Sequence, residues 1–128
     1  MKQLGLNIKQ GEAKLKVENA DDLWYLNNII DPGDTVKGKT LRKLKPTEEA
    51  KAERKLVFMS ISGEKLDFAA NELRVSGKVL EGPEDVPHGS YHTFSIEPGI
   101  TITLIKPRWL GYQLDYLKEA VSTKPPKI

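Results

Sequence analysis

The chain has 128 residues, the size of one ordinary domain with one core, and it contains no cysteine and two histidines, which excludes disulfide frameworks and zinc fingers. No apolar run approaches the ~20 residues needed to cross a bilayer, and residues 1–5 do not open a signal peptide, so a soluble, cytoplasmic protein is expected. Charged residues make up 30% of the chain, yet the formal net charge is only +2, so any nucleic-acid affinity must come from how charge is distributed.

In chain order, Leu4, Leu6 and Ile8 alternate with polar neighbours, Gln10-Gly11 offers a turn, and Ala13, Leu15 and Val17 resume the period of two, which predicts a hairpin. At Asn19 the period becomes 3.6: Leu23, Leu26, Asn27 and Ile30 share one face. Asn19 suits an N-cap, and Asp21 and Asp22 complement the positive first turn, so a helix is expected over about 20–30. Asp31-Pro32-Gly33-Asp34 should end it in a turn. Residues 35–44 then read as a strand, 46–53 as a polar tip and 56–61 as the return strand of a long hairpin. Further strands are predicted over 65–70, 73–80, 91–97 and 100–105. Pro107 suits a first helical position, and Leu110, Leu114, Leu117 and Val121 predict a second helix over 108–122. Residues 123–128 have linker composition. A single domain over 1–122, followed by the start of a linker to a further domain, is the expected organisation.

The most polarised stretch is 37–55. Eight bases (Lys37, Lys39, Arg42, Lys43, Lys45, Lys51, Arg54 and Lys55) face three glutamates, a local excess of five, and the rest of the chain is left net negative. On a strand Lys37, Lys39 and Lys43 share one face, suited to an RNA backbone, and Arg42 points the other way, where it could grip phosphate bidentately. Lysines along an edge also serve simply to prevent strand pairing, and charge counting leaves the two readings even. The aromatic residues occupy periodic apolar positions or helices, so backbone contact is expected rather than base stacking.

Signals for chemistry are weaker. Glu18, Asp21 and Asp22 cluster at the start of the first helix and are the candidate catalytic or metal-binding acids, although helix-dipole and capping roles explain them without a metal. Asp31 and Asp34 have similar reasons to sit in their turn. His92 shares parity with Phe94 and Ile96 and should face the core, and His88 falls in a loop. Trp24 and Trp109 are expected as core anchors. There is no phosphate-binding glycine loop, nucleophile elbow or His-Glu zinc motif.

The segments Asp21-Asp22-Leu23-Trp24-Tyr25-Leu26-Asn27-Asn28-Ile29-Ile30, Gly33-Asp34 and Thr40-Leu41-Arg42-Lys43-Leu44 resemble the amino-terminal domain of the Pelota family of ribosome-rescue factors. Leu73-Arg74-Val75-Ser76-Gly77, Gly89-Ser90-Tyr91-His92-Thr93 and Lys106-Pro107-Arg108-Trp109 continue the resemblance in the same order. It implies a mostly β fold, an Sm-like (SH3-like) antiparallel β-barrel with two α-helices. It also implies a monomeric, RNA-binding domain that enters the A site of stalled ribosomes. There the loop matching residues 45–55 meets small-subunit rRNA and the mRNA channel, with no cofactor needed for binding. For a full-length protein it implies an elongation-factor-1-alpha-type GTPase and an ABC-type recycling ATPase as partners. The alternative it carries is a divalent-metal-dependent endoribonuclease whose acids would be Glu18, Asp21 and Asp22. The short basic loop and the Lys/Glu balance suggest an archaeal source.

Overall fold

A computed structural model describes residues 1–44, 53–83, 86–87 and 89–122, with the side chains of 41–44 and 53–55 excepted. The predicted opening hairpin is formed by β1 (Lys2–Asn7) and β2 (Glu12–Lys16). Its turn closes with the Gly11 amide donating to the Ile8 carbonyl at 3.1 Å. Gly11 is required twice over. Its φ is +70°, and a Cβ there would lie 2.0 Å from the Lys106 carbonyl oxygen.

Helix α1 (Ala20–Ile29) starts where the sequence places it. Asn19 Oδ1 accepts from the Asp22 amide, and Asp22 Oδ2 accepts from the Asn19 amide, each at 3.2 Å, a reciprocal capping box with aspartate at the third position. Leu23, Leu26 and Ile29 are buried on the face turned to the sheet. The helix ends in the Asp31-Pro32-Gly33-Asp34 turn, closed by the Asp34 amide on the Asp31 carbonyl (3.1 Å), with Gly33 at φ +96°.

Strands β3 (Thr35–Leu44), β4 (Glu53–Ala69), β5 (Glu72–Glu81), β6 (Tyr91–Ile96) and β7 (Thr101–Ile105) complete one antiparallel sheet in the order β1-β2-β7-β3-β4-β5-β6. The strands expected over 56–61 and 65–70 are one continuous strand. Ser62-Gly63-Glu64 has the composition of a turn, but Gly63 instead carries a bulge, and its amide and carbonyl bond the Asp34 carbonyl (2.8 Å) and the Gly33 amide (2.7 Å). Opposite it, a Cβ on Gly77 would fall 1.8 Å from the Ser62 carbonyl oxygen, so two glycines permit the bend. The first half of β4 pairs with β3 and the second with β5.

The inward rows are continuous across the sheet. Ala13, Leu104, Val36, Ile61 and Val79 align over five strands, and Leu15, Ile102, Gly38 and Met59 align beside them; the apolar members are all at most 2% exposed. The bend in β4 folds β6 over β3, so Phe94 reaches over Gly38, and Thr40 Oγ1 and His92 Nε2 are hydrogen-bonded at 3.0 Å inside the curl. His92 is buried as its parity predicts. The expected closed barrel is not formed: no backbone ladder joins β1 to β6 among the described residues, and the sheet is a curled, open one.

Helix α2 (Gly111–Ser122) packs on α1 and begins three residues later than expected. Lys106 is 2% exposed and ion-paired with Asp34 and with Asp31 (3.1 Å). Trp109 Nε1 donates to the Gly11 carbonyl at 2.8 Å, and both anchors hold 106–109 out of the helix. The Gln113 side chain then caps the Leu110 amide (2.9 Å). Trp109 packs against the core, but Trp24 is 46% exposed and stands edge-on to Tyr25 and Tyr116 on the outer side of the helix pair, correcting the expectation of a core anchor.

Candidate nucleic-acid interface

Strand alternation that buries the core rows turns the intervening residues of the same strands outward. In β3, Val36, Gly38 and Thr40 are buried, Lys39 is exposed and Lys37 half-buried. The register extends this face in both directions. Lys37 pairs with Thr103 of β7, which pairs with Lys14 of β2; Lys16 pairs with Thr101, and Lys39 pairs with Phe58 of β4. Four lysines (14, 16, 37 and 39) and two threonines therefore occupy the outward face of three adjacent strands, β2, β7 and β3, with Phe58 of β4 beside them and Glu12 at the border.

Of the predicted RNA-binding residues, Lys37 and Lys39 are thus placed on this face. Arg42, Lys43, Arg54 and Lys55 lie on the paired ends of β3 and β4, where Arg42 faces Lys55 and Lys43 faces Arg54 in the ladder, but their side chains lie outside the described residues. Lys45, Lys51 and His88 lie outside them entirely. Sequence reasoning missed Lys14 and Lys16, although their alternation with Ala13, Leu15 and Val17 marked them as outward. It also missed Phe58. That residue is 58% exposed, and its neighbour on the same face, Leu56, is 63% exposed. The expectation that no aromatic accompanies the basic strand is corrected: Leu56-Val57-Phe58-Met59 is unbroken apolar sequence in which parity alone does not reveal the outer residues.

Around Phe58 the face is concave. A groove of about 620 Å³ is lined by Lys14, Lys39, Leu56, Phe58, Thr101 and Thr103, among others.

The candidate acids are arranged differently. Asp22 is 1% exposed, and both its carboxylate oxygens accept hydrogen bonds. Oδ1 accepts from the Met1 ammonium at 2.9 Å, and Oδ2 accepts from the Glu18 and Asn19 amides at 2.8 and 3.2 Å. Glu18 lies 3.3 Å from the same ammonium, which also donates to the Ala120 carbonyl at 3.2 Å, and Asp21 is exposed. The cation held here is the chain's own α-ammonium, so these residues do not fit a divalent ion. Asp31 and Asp34 are likewise both paired with the Lys106 ammonium. Among the described residues no three His, Cys, Asp or Glu side chains converge as a metal site, and no helix is long and apolar enough to cross a membrane.

Residues 1–121 match the Pelota N-terminal domain family. A protein pelota homolog from Pyrococcus horikoshii is 48% identical over 120 residues, covering 88% of this chain and 34% of that protein. Among solved structures, an archaeal Pelota described in a ribosome-bound complex with ABCE1 is 43% identical, with a TM-score of 0.77 over 98% of this chain and 37% of its own. Dom34 of S. cerevisiae is described as a translation termination-like factor in RNA quality control that interacts with Hbs1. It is 25% identical, with a TM-score of 0.71 over 95% of this chain and 33% of its own. The chain thus spans about a third of the length of these relatives.

Proposed function

The chain belongs to the Pelota N-terminal domain family, and from that premise we propose that it is the RNA-binding domain of a cytoplasmic ribosome-rescue factor, acting as a monomeric module in the A site of stalled ribosomes. On this reading the domain covers 1–122, residues 123–128 open the linker, and the curled sheet is of the Sm-like kind. The observation that carries the proposal is the outward face of β2, β7, β3 and β4. Lys14, Lys16, Lys37 and Lys39 lie in successive rows that lead along β3 toward the hairpin bearing Arg42, Lys43, Lys45, Lys51, Arg54 and Lys55.

Cations carried on a sheet are held apart by strand geometry, about 4.8 Å between strands and about 6.8 Å between alternate residues. They can meet successive phosphates of an RNA backbone without losing much side-chain freedom, and their summed field favours an anionic polymer over a small anion. The strand face is the platform, and the basic residues between Arg42 and Lys55 make the contacts with rRNA and mRNA. A GTPase of the elongation-factor-1-alpha type and an ABC-type ATPase are partners for the remaining two thirds of a full-length protein. The acids at the start of α1 act in folding rather than in cleavage of RNA.

The test is RNA binding by fluorescence anisotropy over a salt series, with Lys37→Glu and Lys39→Glu, alone and combined. Removing one lysine–phosphate interaction should lower the slope of log affinity against log salt by about 0.7–0.9. Unchanged affinity and slope in the double variant would remove the proposal.

A further inference from the structure

We infer that the groove around Phe58 is a subsite for one unpaired nucleobase of the bound RNA, stacked on the Phe58 ring with its flanking phosphates on Lys39 and Lys14. The inference rests on the RNA-binding reading of this face and adds a base contact to what is otherwise a backbone contact.

Three observations carry it. The first is exposure. Phe58 and Leu56 are more than half exposed on a strand whose alternate residue Met59 is fully buried, so neither is needed to fill the core. The second is position. Phe58 stands directly opposite Lys39 in the β3–β4 ladder, so a ring and a cation share one cross-strand site, and the hydroxyls of Thr101 and Thr103 line the same groove as hydrogen-bonding groups for a base edge. The third is size. About 620 Å³ falls within the range of small-ligand sites, ample for one base with part of its ribose.

The chemistry of the rim selects this occupant over an apolar partner surface. Lysine is depleted from the centres of protein interfaces, and the exposed apolar side chains Leu56 and Phe58, with half-buried Ile100 and buried Ile102 beneath them, are bordered by Lys14 and Lys39, Glu12 being the one acid of the lining. An aromatic ring on a sheet beside cations is the arrangement by which single-stranded bases are held, because every base offers a π-face while the cations take the adjoining phosphates. A base inside a duplex cannot reach the ring, so the subsite should distinguish RNA with an unpaired nucleotide from uninterrupted duplex.

The experiment uses three fluorescein-labelled RNA hairpins: one fully paired, one with a single bulged adenosine, and one with an abasic site in place of that adenosine. Binding is measured for the unaltered chain and for Phe58→Ala, Phe58→Leu, Phe58→Tyr and Lys39→Glu. The unaltered chain should prefer the bulged hairpin. Phe58→Ala and Phe58→Leu should weaken that complex on the order of ten-fold, with the salt slope unchanged and little effect on the other two RNAs, and Phe58→Tyr should retain the preference. Melting temperatures close to that of the unaltered chain would verify that these surface changes leave the fold intact. If Phe58→Ala binds the bulged hairpin as well as the unaltered chain does, while Lys39→Glu loses affinity and slope, the base subsite is wrong and the RNA-binding face stands. Full affinity in Phe58→Leu would mark the groove as a plain apolar contact and also overturn the subsite. If none of the variants alters binding to any RNA, the RNA-binding reading fails and takes the subsite with it.

Discussion

Replacing Asp22 by Asn should destabilise the domain severely while leaving its shape almost unchanged. The carboxylate is 1% exposed and accepts from three donors: the Met1 ammonium on one oxygen, and the Glu18 and Asn19 amides on the other. An amide has one oxygen. If it faces the backbone amides, the ammonium is left against an NH₂ group; if it faces the ammonium, two amides lose their acceptor. Removing one partner of a buried charge pair costs about 3–5 kcal/mol, of a total stability that for such domains is about 5–15 kcal/mol. At this size such a loss lowers Tm on the order of 10–20 °C. Calorimetry or thermal circular dichroism measures it directly. The neighbours give the comparison. Glu18→Gln, whose side chain is 34% exposed at 3.3 Å from the ammonium, should cost under about 1 kcal/mol, and exposed Asp21→Asn about half a kcal/mol, from the helix dipole alone. A loss below about 1 kcal/mol for Asp22→Asn would refute the structural role. An equal and stability-independent effect of all three changes on Mg²⁺-dependent RNA cleavage would instead restore these acids as a catalytic group.

Lys106→Met leaves Asp34, 3% exposed, without its cation and should cost about 3–5 kcal/mol in urea denaturation. Adding Asp34→Asn should restore part of that loss in a double-mutant cycle, and strict additivity would show that the two do not act as a pair. At the surface, the Arg74 guanidinium hydrogen-bonded to Glu72, and secondarily the Ser95 hydroxyl, hold the Glu72 carboxyl below its ordinary value. The lowered value means that the folded state binds this proton less readily than the unfolded chain. Its contribution is therefore fully present above the ordinary carboxylate range and lost as pH falls through the lowered midpoint. An NMR titration should show that midpoint moving up in Arg74→Gln and in high salt, and an unmoved midpoint would discard Arg74 as the cause.

Where one face of an element is buried and the other wet, the sequence declared it. Strand β2, α1 with its Asn19 cap and the strands over 73–80, 91–97 and 100–105 all carry a clean period, whereas β1 alternates in sequence but is exposed on both faces, Leu4 and Leu6 included. What escaped depends on groups distant in the chain. Ser62-Gly63-Glu64 reads as a turn until the Asp34 and Gly33 backbone groups are seen to hold it in a bend. Pro107 reads as a helix start until Gly11 and Asp34 are seen to hold Trp109 and Lys106 outside the helix. Asp22 offers no clue in sequence that its partner is the chain's own amino group, 21 positions away. For the candidate site, Lys37 and Lys39 were legible from charge, and Lys14 and Lys16 were available from alternation. Phe58 was not, because both its neighbours are also apolar and only the ladder with Lys39 assigns it to the outside.

The alternation of β2, β7 and β3 gives this domain two nearly separate alphabets. Positions 13, 15, 36, 38, 102 and 104 are written in the interior, where a single methylene matters. Positions 14, 16, 37, 39, 101 and 103 are written on the opposite side of the same strands. A library that varies the second set should keep melting cooperatively, and on the proposed RNA-binding reading its preference among RNAs should drift. Recognition can therefore be revised by descent or by engineering without renegotiating the fold.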